Sequence, residues 1–143
     1  MDQTPEDLTA VRGAFDDHLG LEMVEITAER VVARLVVTER HTQPYGLVHG
    51  GVYCAMAETV ASFGAVLAIR EMTGSDDAGS VGQSNHTDFL SSARGGVLTA
   101  TATPVHVGRS VQLWRIGITD EDHRLVAESR VRMFNVGVER VTR

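Results

Sequence analysis

A single carboxylate, that of Glu58, lies inside an otherwise apolar part of the sequence, residues 50–69. An unpaired carboxylate in apolar surroundings costs free energy, and such residues usually have a partner or a chemical task. The simplest alternative is a helical glutamate that faces water or pairs with an arginine. The apolar context favours a task, because a carboxylate so placed can act as a general base or as a nucleophile.

The residues at the start of this apolar segment could stabilise a developing negative charge. His49, Gly50 and Gly51 lie where a helix would begin. The first N–H groups of a helix have no partner inside the helix and carry positive partial charge. Glycine also lets an oxygen of another molecule approach that backbone closely. A histidine bonded in a turn and a glycine pair that only starts the helix remain the alternatives, but beside Glu58 the arrangement predicts an oxyanion site.

Residues 51–72 predict a helix, since they contain no proline and suffice for roughly five turns or more. The segment is apolar nearly all round, which is typical of a helix buried on most sides. Cys54, Glu58 and Ser62 are spaced four residues apart and therefore share one stripe. Cys54 is interpreted as a small core residue, because no neighbour in the sequence could act as its base. A membrane span is disfavoured by the polar residues Glu58, Thr59 and Ser62.

The elements around this helix predict an α+β domain that covers residues 1–143. A short amphipathic helix is expected at residues 5–19, followed by a hairpin of strands at 21–26 and 31–37. Four more β-like segments follow the long helix, at residues 80–90, 95–107, 109–119 and 124–136. Pro104 predicts a bulge or an edge position in its strand. An apolar helix needs a cover, and a curved antiparallel sheet of about six strands would supply it.

Composition excludes several classes of function. The formal net charge is −6 and the isoelectric point is about 5.4, which argues against binding to nucleic acid or to a membrane surface. All 13 basic residues are arginine, so lysine Schiff-base chemistry is excluded. Cys54 is the only cysteine, and the histidines lack metal-ligand spacing, so no metal and no cofactor are expected. The acidic N-terminus without an apolar segment predicts a cytoplasmic protein.

Residues 20–136 resemble the hotdog-fold acyl-CoA thioesterases, specifically the phenylacetate-pathway (PaaI-like) type related to 4-hydroxybenzoyl-CoA thioesterase. The resemblance is carried by "QPYGLVHGGVYCAMAETVAS" and by "NHTDFLSSARGG" with the strands that follow it. The family motif consists of an amide, a glycine, a His-Gly-Gly triplet, a carboxylate and a hydroxyl. In this sequence the motif residues are Gln43, Gly46, His49, Gly50, Gly51, Glu58 and Ser62.

The resemblance implies how these residues would hydrolyse a thioester. The backbone N–H of Gly50 or Gly51, helped by His49, would hold the thioester carbonyl. Glu58 of the other subunit would act as nucleophile or as the base for water. The amide of the motif, Gln43, would orient the water or the acyl group. The hydroxyl of Ser62 would support the carboxylate.

The resemblance also implies a coenzyme A site and an oligomer. Gly108, Arg109 and Ser110 combine a flexible backbone, a cation and a hydroxyl, and such a segment lies near the nucleotide in relatives. Asn85 and His86 occupy the strand expected to line the acyl pocket. The expected assembly is a homodimer or homotetramer with active sites at the subunit interface. A hotdog-fold enoyl-CoA hydratase or dehydratase and a non-catalytic acyl-CoA-binding domain are the alternative functions.

Overall fold

The computed structural model describes residues 13–138. The first helix, α1, comprises Ala14–Leu19 and ends at Gly20, whose φ of 78° is left-handed. Glycine adopts that conformation without the steric cost that a side chain would add. The predicted helix at residues 5–19 is confirmed for Ala14–Leu19 and wrong at Gly13, whose extended backbone precedes the first turn of α1; residues 5–12 lie outside the described part.

The predicted alternation of strands and one long helix is confirmed. Every boundary falls within two residues of its prediction. The strands are β1 (Leu21–Ile26), β2 (Val31–Val36), β3 (Gly79–Phe89), β4 (Val97–Val107), β5 (Val111–Thr119) and β6 (Leu125–Val136), and the long helix α2 comprises Gly50–Thr73.

All six strands form one antiparallel sheet in the order β1-β2-β4-β5-β6-β3. The strands β1 and β3 are therefore the two edges, although β3 is neither first nor last in the chain. The register shifts between Pro104 and His106, which confirms the predicted bulge in β4. A six-stranded curved sheet with one long helix is the hotdog arrangement that the resemblance implied.

The concave face of the sheet packs against one side of α2. The helix contributes Met56 and Val60 to this core, and the sheet contributes Trp114 and Ile116, all with no exposed surface. The approach is close at Gly64, where an added Cβ would come within 2.5 Å of the Trp114 ring. A glycine at this position lets the large indole lie directly on the helix backbone.

The expectation that α2 is buried on most sides is confirmed except along one stripe of the helix. Gly51 and Glu58 are exposed, and Cys54, Ala55 and Ser62 are only half-buried. The physical reason is that the sheet covers the helix from one side and ends at its edge strand, β3. By length and composition α2 alone among the described helices could cross a membrane, but 56% of its most apolar window is buried inside the fold, as in a core helix.

Candidate active site

Among the described residues, the N–H of Gly50 at the start of α2 has no hydrogen-bond partner. His49 is the N-cap residue, and its Nδ1 accepts a hydrogen bond of 2.8 Å from the N–H of Gly51. The N–H of Val52 donates to the His49 carbonyl at 2.9 Å. Among the described residues, nothing accepts a hydrogen bond from the N–H of Gly50. Of the two predicted oxyanion donors, Gly50 is therefore free to bind a ligand, whereas Gly51 is occupied by the cap.

The same hydrogen bond defines what His49 can do. Because Nδ1 accepts from Gly51, the neutral ring carries its proton on Nε2. The side chain is exposed, so this Nε2–H is available as a donor at the start of the helix. The helix start thus offers two donors that are free among the described residues, the N–H of Gly50 and the Nε2–H of His49.

The loop before α2 is held in place on both sides. The N–H of Val48 donates a hydrogen bond to the carbonyl of Ala93 at 2.7 Å. The N–H of His49 donates to the carbonyl of His41 at 2.8 Å. His41 is buried, and its Nε2 lies 2.7 Å from the Leu19 carbonyl. Sequence analysis did not select His41, and only its burial and contacts identify it as an anchor of the active-site loop.

Gln43 lies in this loop with one half of its amide engaged. Its Oε1 accepts a hydrogen bond from the N–H of Tyr45, which leaves the Nε2 amide group available as a donor, and Gln43 borders the space beside the helix start. That space is a cavity of about 290 Å³ at the start of the helix. It is lined by Gln43, Leu47, Val48, Gly50, Tyr53, Phe89, Leu90, Ser91 and Ser92. Gln43 and Gly50 therefore line one cavity.

Two aromatic residues of this cavity were not selected from the sequence. Phe89 packs directly over the helix start, because a Cβ added to Gly50 would come within 2.5 Å of its ring. The rings of Phe89 and Tyr53 lie 6.0 Å apart, centroid to centroid. Phe89 ends β3, 39 residues after Gly50, so no local spacing signals the contact.

Glu58 lies in a second, separate cleft. This cleft has a volume of about 200 Å³ and is lined by Glu58, Gly82, Gln83, Ser84, Asn85 and Val131. The carboxylate rests on the β3 backbone, since a Cβ added to Gly82 would come within 2.7 Å of its Oε1. The side chain is exposed, and no described residue forms an ion pair or hydrogen bond with the carboxylate. The expectation of a buried carboxylate is therefore wrong for the single chain: Glu58 faces water, as the alternative interpretation held, and it pairs with no arginine within residues 13–138.

The hydroxyl of Ser62 does not contact the carboxylate. It donates to the backbone carbonyl of Glu58 at 2.7 Å, a bond that serine often makes one turn back in a helix. The structure therefore brings Ser62 next to Glu58, as the spacing required, but its hydroxyl is engaged with the backbone rather than with the carboxylate.

Asn85 and His86 face opposite sides of the sheet. Asn85 lies in the Glu58 cleft and donates to the carbonyl of Cys54 at 2.9 Å, which ties β3 to α2. His86 lies on the outer face, where its exposed ring is 3.4 Å from Asp88. Successive side chains of a strand alternate between faces, so only Asn85 of the predicted pair can line an inner cleft.

One chain does not bring its two reactive regions together. Gly50 and Glu58 are eight residues apart on α2, which separates them by about 12 Å along the helix axis. A nucleophile or base must lie about 3 Å from the reacting atom. This separation, together with the two distinct clefts, argues against action of the carboxylate on a carbonyl held by the N–H of Gly50 of the same chain.

Comparison with known proteins assigns the family. Residues 45–127 match the family model described as "Thioesterase superfamily". The chain belongs to the thioesterase superfamily.

Similar proteins agree with this assignment. The thioesterase is 42% identical to the Mycobacterium tuberculosis protein Rv1847 over 123 residues, 85% of this chain and 86% of that protein. It is 39% identical to a 1,4-dihydroxy-2-naphthoyl-CoA hydrolase of Listeria monocytogenes over 116 residues, 81% of this chain and 90% of that enzyme. The solved structure of the Haemophilus influenzae thioesterase HI1161 superposes with a TM-score of 0.85 at 30% identity, over 98% of this chain and 95% of that one.

The predicted coenzyme A segment of the thioesterase is a tight turn between β4 and β5. Asn135 is buried and donates through its side-chain amide to the carbonyls of Gly108 and Arg109, at 2.8 and 2.9 Å. Ser110 accepts from the N–H of Asn135 at 2.9 Å through its carbonyl. The Arg109 side chain is exposed and pairs with no described residue. The turn is thus rigid at its backbone and offers a free cation.

Residues 13–138 contain no group of three or more His, Cys, Asp or Glu side chains that could hold a metal ion.

Proposed function

We propose that this thioesterase hydrolyses an acyl-CoA thioester to the free acid and coenzyme A. The observation that carries the proposal is that Gly50, whose N–H has no partner among the described residues, lines a cavity at a helix N-terminus. Such a donor can hold the carbonyl oxygen of a thioester and stabilise the charge that develops on it. His49 Nε2–H supplies a second donor, and the Gln43 amide can orient a water molecule or the acyl group.

Glu58 is the proposed base or nucleophile. As a base it takes a proton from water, whose oxygen then attacks the carbonyl carbon. As a nucleophile its oxygen attacks first, the coenzyme A thiolate leaves, and water cleaves the resulting anhydride. A single turnover in H₂¹⁸O identifies the nucleophilic route if water cleaves the anhydride at the Glu58 carbonyl, because only that route can leave the label on the Glu58 carboxylate.

The carboxylate is proposed to come from a second subunit. The 12 Å that separate Glu58 from Gly50 within one chain support this arrangement. A copy of the chain, packed with its α2 antiparallel to the first, would place Glu58 of each helix near Gly50 of the other. The open edge of β3 lies beside the Glu58 cleft and could extend the sheet across the same interface.

Complementation between two inactive variants tests the shared site. Gln43→Ala changes only the part of the site that binds the thioester carbonyl, and Glu58→Gln changes only the carboxylate that the other subunit supplies. Mixing the two after unfolding and refolding should restore about a quarter of the wild-type activity, since half of the dimers are mixed and each has one intact site. Light scattering on the same samples should show at least a dimer. An active monomer, or a mixture as inactive as its components, would contradict a site built from two subunits.

Coenzyme A is the proposed leaving group. The Listeria relative is named as a CoA hydrolase, and the free Arg109 on its fixed turn supplies the local positive charge that an acidic protein needs to hold phosphates. Hydrolysis of a panel of CoA esters, followed by thiol release, tests the activity. Hydration of enoyl-CoA without thiol release would instead identify a hydratase, and tight binding without turnover would identify a binding domain.

A further inference from the structure

Two buried amide side chains, those of Gln112 and Asn135, link the turn between β4 and β5 to the middle of α2. Gln112 has no exposed surface and Asn135 is 6% exposed. The Nε2 of Gln112 donates hydrogen bonds of 2.9 Å to the carbonyl of Ala65 and to Oδ1 of Asn135. The Nδ2 of Asn135 donates in turn to the carbonyls of Gly108 and Arg109. A continuous chain of hydrogen bonds therefore runs from the helix backbone to the turn.

Both amide groups are fully bonded and have one orientation. The Oε1 of Gln112 accepts from the indole N–H of Trp114 at 2.9 Å, and Oδ1 of Asn135 also accepts from the hydroxyl of Ser80 at 3.1 Å. Both N–H groups of Asn135 point at carbonyls, so exchange of its amide oxygen and nitrogen would set oxygen against oxygen. A buried polar network that is fully satisfied holds its members in a single rigid arrangement.

The position of the Arg109 cation depends on the backbone of this turn. The Arg109 side chain is exposed and bonds to no described residue, so no side-chain contact fixes it. The turn has a bond of its own, from the N–H of Gly108 to the carbonyl of Val111 at 2.9 Å. Asn135 adds its two side-chain bonds and a third from its backbone N–H to the carbonyl of Ser110.

We infer that Asn135 is a positioning residue for coenzyme A, which fixes the turn through Gln112 so that Arg109 is already in place to meet the phosphates. The inference rests on the proposed function, because it takes Arg109 as a phosphate contact. A loosened turn could still reach the phosphates, but each binding event would then have to order the backbone, which weakens binding. The loss should fall on the binding of coenzyme A and not on the chemistry beside Gly50.

The Asn135→Ala variant tests the inference on two matched substrates, an acyl-CoA and the acyl-pantetheine thioester that lacks the nucleotide. The KM for acyl-CoA should rise by about threefold to tenfold, a part of what one hydrogen bond to a charged group contributes, while kcat and the kinetics on acyl-pantetheine stay unchanged. In an Arg109→Ala background the same change should add little, because no cation remains to be positioned. Binding of coenzyme A alone, measured calorimetrically, should weaken by the same factor and does not require hydrolysis.

Two further variants separate the turn from the core. Ser80→Ala removes the hydroxyl that bonds Asn135 from the other side and keeps the bonds to the turn, so KM for acyl-CoA should not change. One glycine inserted between Arg109 and Ser110 loosens the turn and leaves the core side chains in place. The insertion should give the same kinetic change as Asn135→Ala, and it decides the test if Asn135→Ala does not fold.

The outcomes distinguish this inference from the proposed function. Equal losses on both substrates, an unchanged KM for acyl-CoA in Asn135→Ala or in the insertion variant, or additive effects in the double variant would overturn the role of Asn135 while hydrolysis itself stands. Unaltered coenzyme A binding by Arg109→Ala would overturn it as well, because the turn would then have no cation to position. Absence of hydrolysis of any CoA ester would contradict the proposed function instead, and the binding measurement would still decide the role of Asn135.

Discussion

Replacement of Glu58 by glutamine tests the role of the carboxylate in catalysis separately from its contribution to stability. The change keeps the size of the side chain and removes only its charge and basicity. Loss of a positioned base costs a factor of about 10² to 10⁴ in rate, so kcat should fall by at least about 10², equivalent to about 2.7 kcal/mol of transition-state stabilisation.

The structure also sets the expected change in stability. The Glu58 carboxylate is exposed and pairs with no described residue, so its neutralisation leaves no partner uncompensated. Substitutions at such positions change the free energy of unfolding by about 0.5 kcal/mol or less. Closer cover by a second subunit would shift this value towards stabilisation, because a covered charge would be replaced by a neutral amide.

The assay follows thiol release from a panel of CoA esters, and thermal unfolding is measured on the same samples. Glu71→Gln is the matched control, since Glu71 is exposed on the same helix and lies outside the Glu58 cleft. Turnover close to wild type by a folded Glu58→Gln protein would refute a chemical role for the carboxylate. A large loss of stability would refute the structural reasoning, because it would reveal a partner that stabilises the charge.

Three further substitutions test other parts of the site and the fold. Gly82→Ala places a Cβ 2.7 Å from Glu58 Oε1, so the carboxylate must move. Its kcat should fall by about tenfold to a hundredfold with little change in melting temperature. An unchanged kcat would contradict the proposed placement of the carboxylate. Arg109→Ala should raise KM for acyl-CoA more than it lowers kcat, and should have much less effect on a pantetheine thioester; equal effects on both substrates would indicate a structural role. Gly64→Ala puts a Cβ 2.5 Å from the Trp114 ring and should destabilise the protein by about 1–3 kcal/mol in urea unfolding, whereas increased stability would show that the core can yield there.

The fold was predictable because its signals are local. Alternating burial along β6 and the length of the apolar segment that forms α2 depend on periodicity, which the sequence displays directly. The bulge at Pro104 follows from a missing N–H, and the end of α1 at Gly20 from a left-handed residue. Each of these features needs only neighbouring residues to be recognised.

The parts of the site that could not be predicted depend on contacts between distant residues. The choice between Gly50 and Gly51 is made by the direction of the His49 ring, which no spacing specifies. Asn135 looks like an ordinary polar residue near the end of a strand, and only its burial and its hydrogen bonds to the turn distinguish it. The contact of Phe89 with the helix start requires the pairing of the whole edge strand. Local periodicity carries no information on any of these three features.

The exposure of Glu58 shows why hydropathy alone did not predict its surroundings. An apolar segment predicts that a helix needs cover on all sides, but it does not say whether the cover comes from the same chain. Here the sheet covers one side of α2, and the stripe that contains Gly51, Ala55 and Glu58 stays open. This stripe lies on an apolar helix, which favours its burial in an interface, and we propose that a second subunit covers it. On that arrangement the interface that buries the stripe is also the one that brings Glu58 to the carbonyl site at Gly50, so association and catalysis depend on the same contact.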